Sequence, residues 1–286
     1  KEIIFTSGAT EALNLAIKGH AEAFASHGKN IITVTTEHHA VLDALAWLSS
    51  KGYEVTKLEV NASGQLDLQK LQDALTDQTI LVVAMWANNE TGVLHDIPAI
   101  GAICRQAGVT LMCDATQAAG KLDINPAHAG VDMLAFSAHK MYGPKGVGAL
   151  YLNQASYKAR LVPLIHGGGH EMGFRSGTLN VPGIVGFGAA AAIRMKEMKA
   201  DEHRIRDHRD HFEAGLLAAV EEAYVNGDLD GRLPTVSNIR VTGVDSQAVM
   251  SRFRTRLAIS AGSACSSAHP EPSHVLLAMG LTVAQA

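Results

Sequence analysis

The chain has 286 residues, with 24 Lys and Arg against 28 Asp and Glu, for a net charge of −4. That length holds one large domain or two smaller ones and buries a self-sufficient core. The near-balance of charge argues against a nucleic-acid groove or an anionic membrane surface as main partner, and 47% apolar residues exclude a disordered chain. The longest nearly uncharged stretch, 181–193, is short of the about 20 residues of a membrane span. Cys104, Cys113 and Cys265 are too few and odd in number for a disulfide framework, which suits a reducing compartment such as the cytoplasm. The chain opens on Lys-Glu-Ile-Ile-Phe without a signal peptide and ends on a helix-like start, so it reads as part of something longer.

In chain order, strand-like runs are expected at 3–5, 31–34, 55–60, 80–86, 109–113 and 133–136, and helical spacing at 9–24, 41–48, 68–75 and 97–107. This alternation predicts βαβ units and a mostly parallel sheet. Gly28, Gly52 and Gly108 stand where helices should end. From Arg194 to Glu222 the sequence turns charged and helix-like, a connector into a smaller region with short strands such as 237–241. The expected division is a large domain over 1–195 and a small one over 196–286.

Ligands of such sheets collect at the carboxyl ends of the strands. There the sequence puts Ser7-Gly8-Ala9-Thr10, Glu37-His38-His39, Asn88-Asn89-Glu90, Asp114-Ala-Thr-Gln117 and Ser137-Ala-His139-Lys140. Ser7 to Thr10, opening a helix, suits a phosphate, although an ordinary Ser/Thr cap is the plainer reading. Lys140 follows an apolar strand and precedes a glycine-rich loop; a surface lysine is the plain reading, a Schiff-base amine the functional one. Asp114 is either a capping aspartate or the counter-charge to a ring nitrogen. Pyridoxal phosphate (PLP) requires a Schiff-base lysine, an acidic partner for its ring nitrogen and a phosphate cup, and these three segments supply all of them. Cys104 and Cys113 suit buried positions, whereas Cys265 lies in a small, polar Gly-Ser-Ala-Cys-Ser-Ser tract that suits an accessible thiol. His166-Gly-Gly-Gly lacks the Gly-x-Ser-x-Gly elbow of an esterase. His203, His208 and His211 read as a solvated helix face, and no resident metal is expected.

The segments Phe5-Thr-Ser-Gly-Ala-Thr-Glu11, Thr36-Glu-His-His-Ala-Val41, Asn88-Asn-Glu-Thr-Gly92, Asp114-Ala-Thr-Gln117, Ser137-Ala-His-Lys140, His166-Gly-Gly-Gly-His170, Arg175-Ser-Gly-Thr178 and Gly262-Ser-Ala-Cys265 occur in this order. Together they resemble the cysteine desulfurases of the NifS/IscS type, PLP enzymes in the class V aminotransferase family with fold type I. The resemblance covers nearly the whole chain. It implies a mostly parallel seven-stranded sheet with helices on both faces and a smaller α/β C-terminal domain. It also implies conversion of L-cysteine to L-alanine, with a persulfide left on Cys265.

By the same resemblance, Lys140 holds PLP, Asp114 pairs with the ring nitrogen, and Gln117 bonds the phenolic oxygen with Asn89 beside it. His38 stacks on the ring and moves protons, while Ala9, Thr10, Ser137 and His139 surround the phosphate. Thr178 reaches the phosphate in the partner subunit, which implies a homodimer. The tract around Cys265 resembles the longer-loop desulfurases, which pass sulfur to iron–sulfur scaffolds, sulfur carriers and tRNA-thiolation proteins; Cys265 would at most ligate a cluster transiently. Nucleic acid and membrane are not expected as direct partners. The arginine expected for the substrate carboxylate belongs to a family segment beyond this sequence, and Leu13 stands where relatives often carry Asp. Competing readings are a selenocysteine lyase, a small-amino-acid aminotransferase and an inactive truncated homologue.

Overall fold

A computed structural model describes residues 2–156, 160–260 and 271–286. The first half alternates strand and helix as the hydrophobic periods require: β1 (Ile3–Thr6), α1 (Ala9–Ala23), β2 (Asn30–Val34), α2 (His39–Ser49), β3 (Glu54–Leu58), α3 (Leu68–Ala74), β4 (Thr79–Met85), α4 (Ile97–Ala107), β5 (Thr110–Asp114), β6 (Met133–Ser137) and β7 (Gly148–Leu152). They build one seven-stranded sheet in the order β1-β7-β6-β5-β4-β2-β3. The strands from β3 to β6 pair in parallel, and β7 enters antiparallel between β6 and β1.

β7 is absent from the periodicity reading. Its sequence, GALYL, opens on Gly-Ala, both poor strand formers, and the slot between β6 and β1 makes it a strand. Alternation along each strand sends side chains to two cores. Ile32, Val82, Leu111 and Leu134 pack with Ile97, Ile100 and Cys104 of α4. Ile31, Leu81, Met112 and Met133 pack with Leu13 and Ile17 of α1 and Val41 and Leu45 of α2. Every residue of β4 is buried, as a strand covered on both faces should be. Cys104 and Cys113 are buried.

Gly108 ends α4 in the left-handed region (φ 74°), and Gly52, just past α2, is also left-handed. Gly28 corrects the expectation. Its φ is not positive; it is needed because an added Cβ would lie 2.3 Å from the Gln78 carbonyl oxygen.

The charged stretch and the apolar run before it form a single 39-residue helix, α5 (Val181–Ala219). Asn180 caps it, accepting from the Gly183 N–H, and Pro182 stands in its first turn. His203, His208 and His211 are exposed on it, and no His, Cys, Asp or Glu cluster of metal-binding type occurs among the described residues. After α5 come a small antiparallel pair, β8 (Ala223–Val225) and β9 (Ile239–Val241), then α6 (Ser246–Phe253) and α7 (His274–Ala278). A buried bidentate pair, Arg232 with Glu213, ties this region to α5. No helix among the described residues is long and apolar enough to cross a membrane.

Candidate active site

β5 and β6 end side by side, with Asp114 in register with Ala135. Asp114 closes β5 and is 5% exposed. Its Oδ1 accepts from the Thr116 N–H at 2.9 Å, and it forms no ion pair among the described residues. Burial raises its pKa, and the nearby His38 and Lys140 offset part of that rise. A buried carboxylate with cations near but not bound to it gains most from a cation that arrives beside it.

Ser137 closes β6, and the chain passes directly into a 3-10 turn, Ala138–Met141, that carries His139 and Lys140. Tyr142 ends the turn in the left-handed region (φ 65°), where a non-glycine residue is uncommon. Ser137 Oγ and His139 Nδ1 lie 2.8 Å apart, which orients the histidine ring. Lys140 is therefore set on a short rigid turn at the end of a buried strand. It stands close enough to Asp114, His38, His139 and Lys121 to act on the charge of each.

His38 caps α2, its Nδ1 accepting from the Ala40 N–H at 3.0 Å. An accepting Nδ1 is unprotonated, so the ring proton is on Nε2. Burial lowers the His38 pKa, consistent with a neutral imidazole. Beside it, Glu37 is fully buried; its Oε1 accepts from the Met85 N–H at 2.5 Å, and its Oε2 has no partner among the described residues. Burial, reinforced by Asp114, pushes the Glu37 carboxyl well above the ordinary range. His274 at the start of α7 reaches the Glu37 carbonyl oxygen through Nε2 at 2.9 Å and packs on the His39 ring.

The α1 N-terminus settles the cap question. The N-cap is Gly8 and no side chain caps it, so the first N–H groups of α1 are left for another acceptor. Ala9 and Thr10 open the helix. Glu11, in the same turn, would oppose an anion, but its Oε1 accepts from Arg175 Nε at 2.6 Å and its Oε2 from the Ser7 N–H at 2.7 Å. Burial works against that carboxylate, yet the Arg175 and Ser7 bonds hold its pKa below the ordinary value. β7 approaches this turn so closely that a Cβ on Gly148 would lie 2.6 Å from the Gly8 backbone. Thr178 is exposed and lines a cavity of about 220 Å³ with Thr6, Ser7, Gly146 and Arg175.

Gln117 follows Asp114 by one turn, and its Oε1 accepts from Lys121 Nζ at 2.8 Å. Asn88 is consumed in building its own turn, bonding the Thr36 carbonyl and the N–H groups of Glu90 and Thr91, which leaves Asn89 as the half-exposed member of the pair. Cys265 lies outside the described residues. Lys121 and the Glu11–Arg175 pair escape the sequence reading. A single lysine after a glycine carries no motif, and 164 residues separate Glu11 from Arg175.

A buried unpaired carboxylate, an uncapped helix N-terminus against a glycine-only approach and a lysine on a rigid turn fit the ring nitrogen, phosphate and aldehyde of PLP. The aminotransferase class-V family model matches residues 1–284. The chain is 51% identical over 282 residues to the protein named cysteine desulfurase IscS of Anaeromyxobacter sp. (strain Fw109-5), spanning 99% of this chain and 69% of that protein. It is 50% identical over 280 residues to the protein of that name from Neisseria meningitidis (strain Z2491), spanning 98% and 69%. Among solved structures it is similar to a NifS-like protein (TM-score 0.90, 34% identity, 99% of this chain and 75% of that one). It is also similar to SspA in complex with cysteine (TM-score 0.83, 37%, 99% and 78%).

The chain belongs to the class-V aminotransferase family, with fold type I and pyridoxal phosphate as its cofactor. Within that family its relatives at about half identity along nearly its whole length place it more narrowly: it is a cysteine desulfurase.

Proposed function

We propose that this desulfurase divides its chemistry between the strand-end residues and Cys265. Lys140 Nζ would hold the cofactor covalently and, as a free amine, would take the proton from the substrate Cα. Asp114 keeps the ring nitrogen protonated, His38 stacks on the ring through its neutral imidazole, and Gln117 and Asn89 lie along the phenolic-oxygen side. Ala9, Thr10, Ser137 and His139 surround the phosphate, with Thr178 supplied to the partner subunit. When bound, PLP supplies a sink for the electrons released at Cα. The Cys265 thiolate attacks the substrate sulfur; the new S–S bond forms as the Cβ–S bond breaks, with that bond's electron pair leaving on the carbon side. Protonation at Cβ and return of the proton to Cα would complete alanine, and the sulfur would stay on Cys265 as a persulfide.

The single observation that carries this reading is Asp114, a buried carboxylate without an ion pair among the described residues, beside a lysine on a short turn at the end of a buried strand. The acceptor of the sulfur we propose to be an iron–sulfur scaffold or a sulfur-carrier protein, in the cytoplasm. The homodimer is supported by the exposed apolar side chains of Val181, Val185, Ile193 and Met195 at the start of α5. Residues 1–195 would form the PLP-binding domain and 196–286 the small domain, joined within α5.

The test is a mass analysis of the Cys265 peptide after the protein has met PLP and L-cysteine and been alkylated. One extra sulfur on Cys265, absent from Lys140→Ala, is the expected result. An unmodified Cys265 in a protein that visibly binds PLP would sink the assignment of the nucleophile. An aminotransferase would keep its activity in Cys265→Ser, and a selenium-selective lyase would not turn over L-cysteine.

A further inference from the structure

Lys121 is half-buried beside the candidate site, and none of the roles above uses it. The turn that follows β5 brings it back. Ala118 and Ala119 donate their N–H groups to the Ala115 carbonyl, and Lys121 and Leu122 donate theirs to Ala118. Between these, Gly120 is left-handed (φ 75°), and a Cβ there would lie 2.7 Å from Met141 Cβ, on the 3-10 turn that bears Lys140. The Gly120 carbonyl accepts from Arg194 Nε of α5 at 2.8 Å. The backbone at Gly120 is therefore pinned between the Lys140 turn and α5, and the next side chain folds back until its Nζ is 2.8 Å from Gln117 Oε1.

An ammonium only donates. Gln117 Oε1 is thus committed as the acceptor, and the amide NH₂ is the end left available, where without Lys121 the two ends of the amide would be interchangeable. Resting on the reading that Gln117 faces the ring oxygen, we infer that Lys121 is a positioning residue. It locks the Gln117 amide with its NH₂ toward the cofactor and keeps a positive charge next to Lys140.

Burial, with the charges of Lys140 and Arg194 adding to it, lowers the Lys121 pKa to about 8. These two are the charged groups that face it, from the 3-10 turn and from α5. The lock therefore belongs to the protonated amine and is released as pH rises through about 8.

The experiment follows the visible absorption of the bound cofactor against pH in the wild-type holoenzyme and in Lys121→Met, Lys121→Arg and Gln117→Ala, with thermal unfolding measured alongside. Removing a cation and a donated hydrogen bond from the neighbourhood of the Lys140 nitrogen favours its protonated form. The midpoint in Lys121→Met is therefore expected to move up by roughly one pH unit, and Lys121→Arg to restore most of the wild-type value. If Lys121→Met does not fold, Lys121→Gln is judged by the same midpoint. A Lys121→Met holoenzyme with lowered thermal stability but an unmoved midpoint overturns the inference, since that lysine would then only hold the turn together. A Gln117→Ala midpoint that shifts while Lys121→Met stays still overturns the inference alone. An unmoved Gln117→Ala removes the reading of Gln117 beneath it as well.

Discussion

Glu37 shows how a single buried residue sets a pH response. Its carboxyl is fully buried, one oxygen is unpartnered among the described residues, and burial with Asp114 raises its pKa well above 4.5. In the folded protein it keeps its proton where the unfolded chain has lost it. The folded state therefore binds more protons, and its stability falls as pH rises from about 4.5 toward the folded pKa. Glu37→Gln preserves the acceptor for the Met85 N–H and has no proton to lose. The variant is expected to match the wild type near pH 4 and to unfold at a higher temperature than the wild type at pH 8. Thermal unfolding across that range decides it, and parallel curves for the two proteins would refute a raised Glu37 pKa.

At the scale of elements, the sheet positions the chemistry by how close its edges come. β7 is antiparallel between β6 and β1, and Gly148 lets it lie against the turn before α1. Gly148→Ala would put a Cβ 2.6 Å from the Gly8 backbone and 2.9 Å from the Phe136 carbonyl oxygen. Backbone on both sides cannot step aside, so the substitution should cost roughly 1–3 kcal/mol and loosen the uncapped α1 N-terminus. Gly108→Ala provides the contrast. Nothing lies within 4 Å of its added Cβ, and only its φ of 74° is penalised, at about 1 kcal/mol. Equilibrium denaturation together with PLP retention on dialysis should show both variants destabilised but only Gly148→Ala losing cofactor. Equal retention would separate β7 from the phosphate cup.

At the scale of the whole molecule, the first half of α5 carries apolar side chains that the other described residues leave uncovered. Val181, Val185, Ile193 and Met195 are 60%, 66%, 52% and 85% exposed along the first half of α5. If Val181 and Val185, one turn apart on α5, lie in the dimer interface, Val185→Asp should place an unpaired charge in it and shift the protein toward monomer. Sedimentation velocity measures this directly. PLP retention should fall in the same variant if Thr178 serves the partner's site. A wild-type protein that sediments as a monomer would reject the dimer, and with it the shared site.

Legibility in the sequence followed the range of the interaction. Asp114, Ser137 and Lys140 stand where an apolar run stops, and a strand that stops in polar residues is a local pattern, visible in ten consecutive positions. The alternation of periods gave the parallel sheet for the same reason, because each element must bury one face or both. β7 left no such trace, since its Gly-Ala-Leu-Tyr-Leu becomes a strand through the neighbours on either side. Nor did the choice of Gly8 as an uncapped helix start, which depends on β7 lying against it. The Glu11–Arg175 pair, the burial of Glu37 and the return of Lys121 to Gln117 beside Lys140 were equally silent. Residue types and spacing along the chain carry the kind of chemistry a segment can do. Protonation state, hydrogen-bond direction and close approach depend on what other segments fold against it, and those distances exist only once the chain has closed on itself.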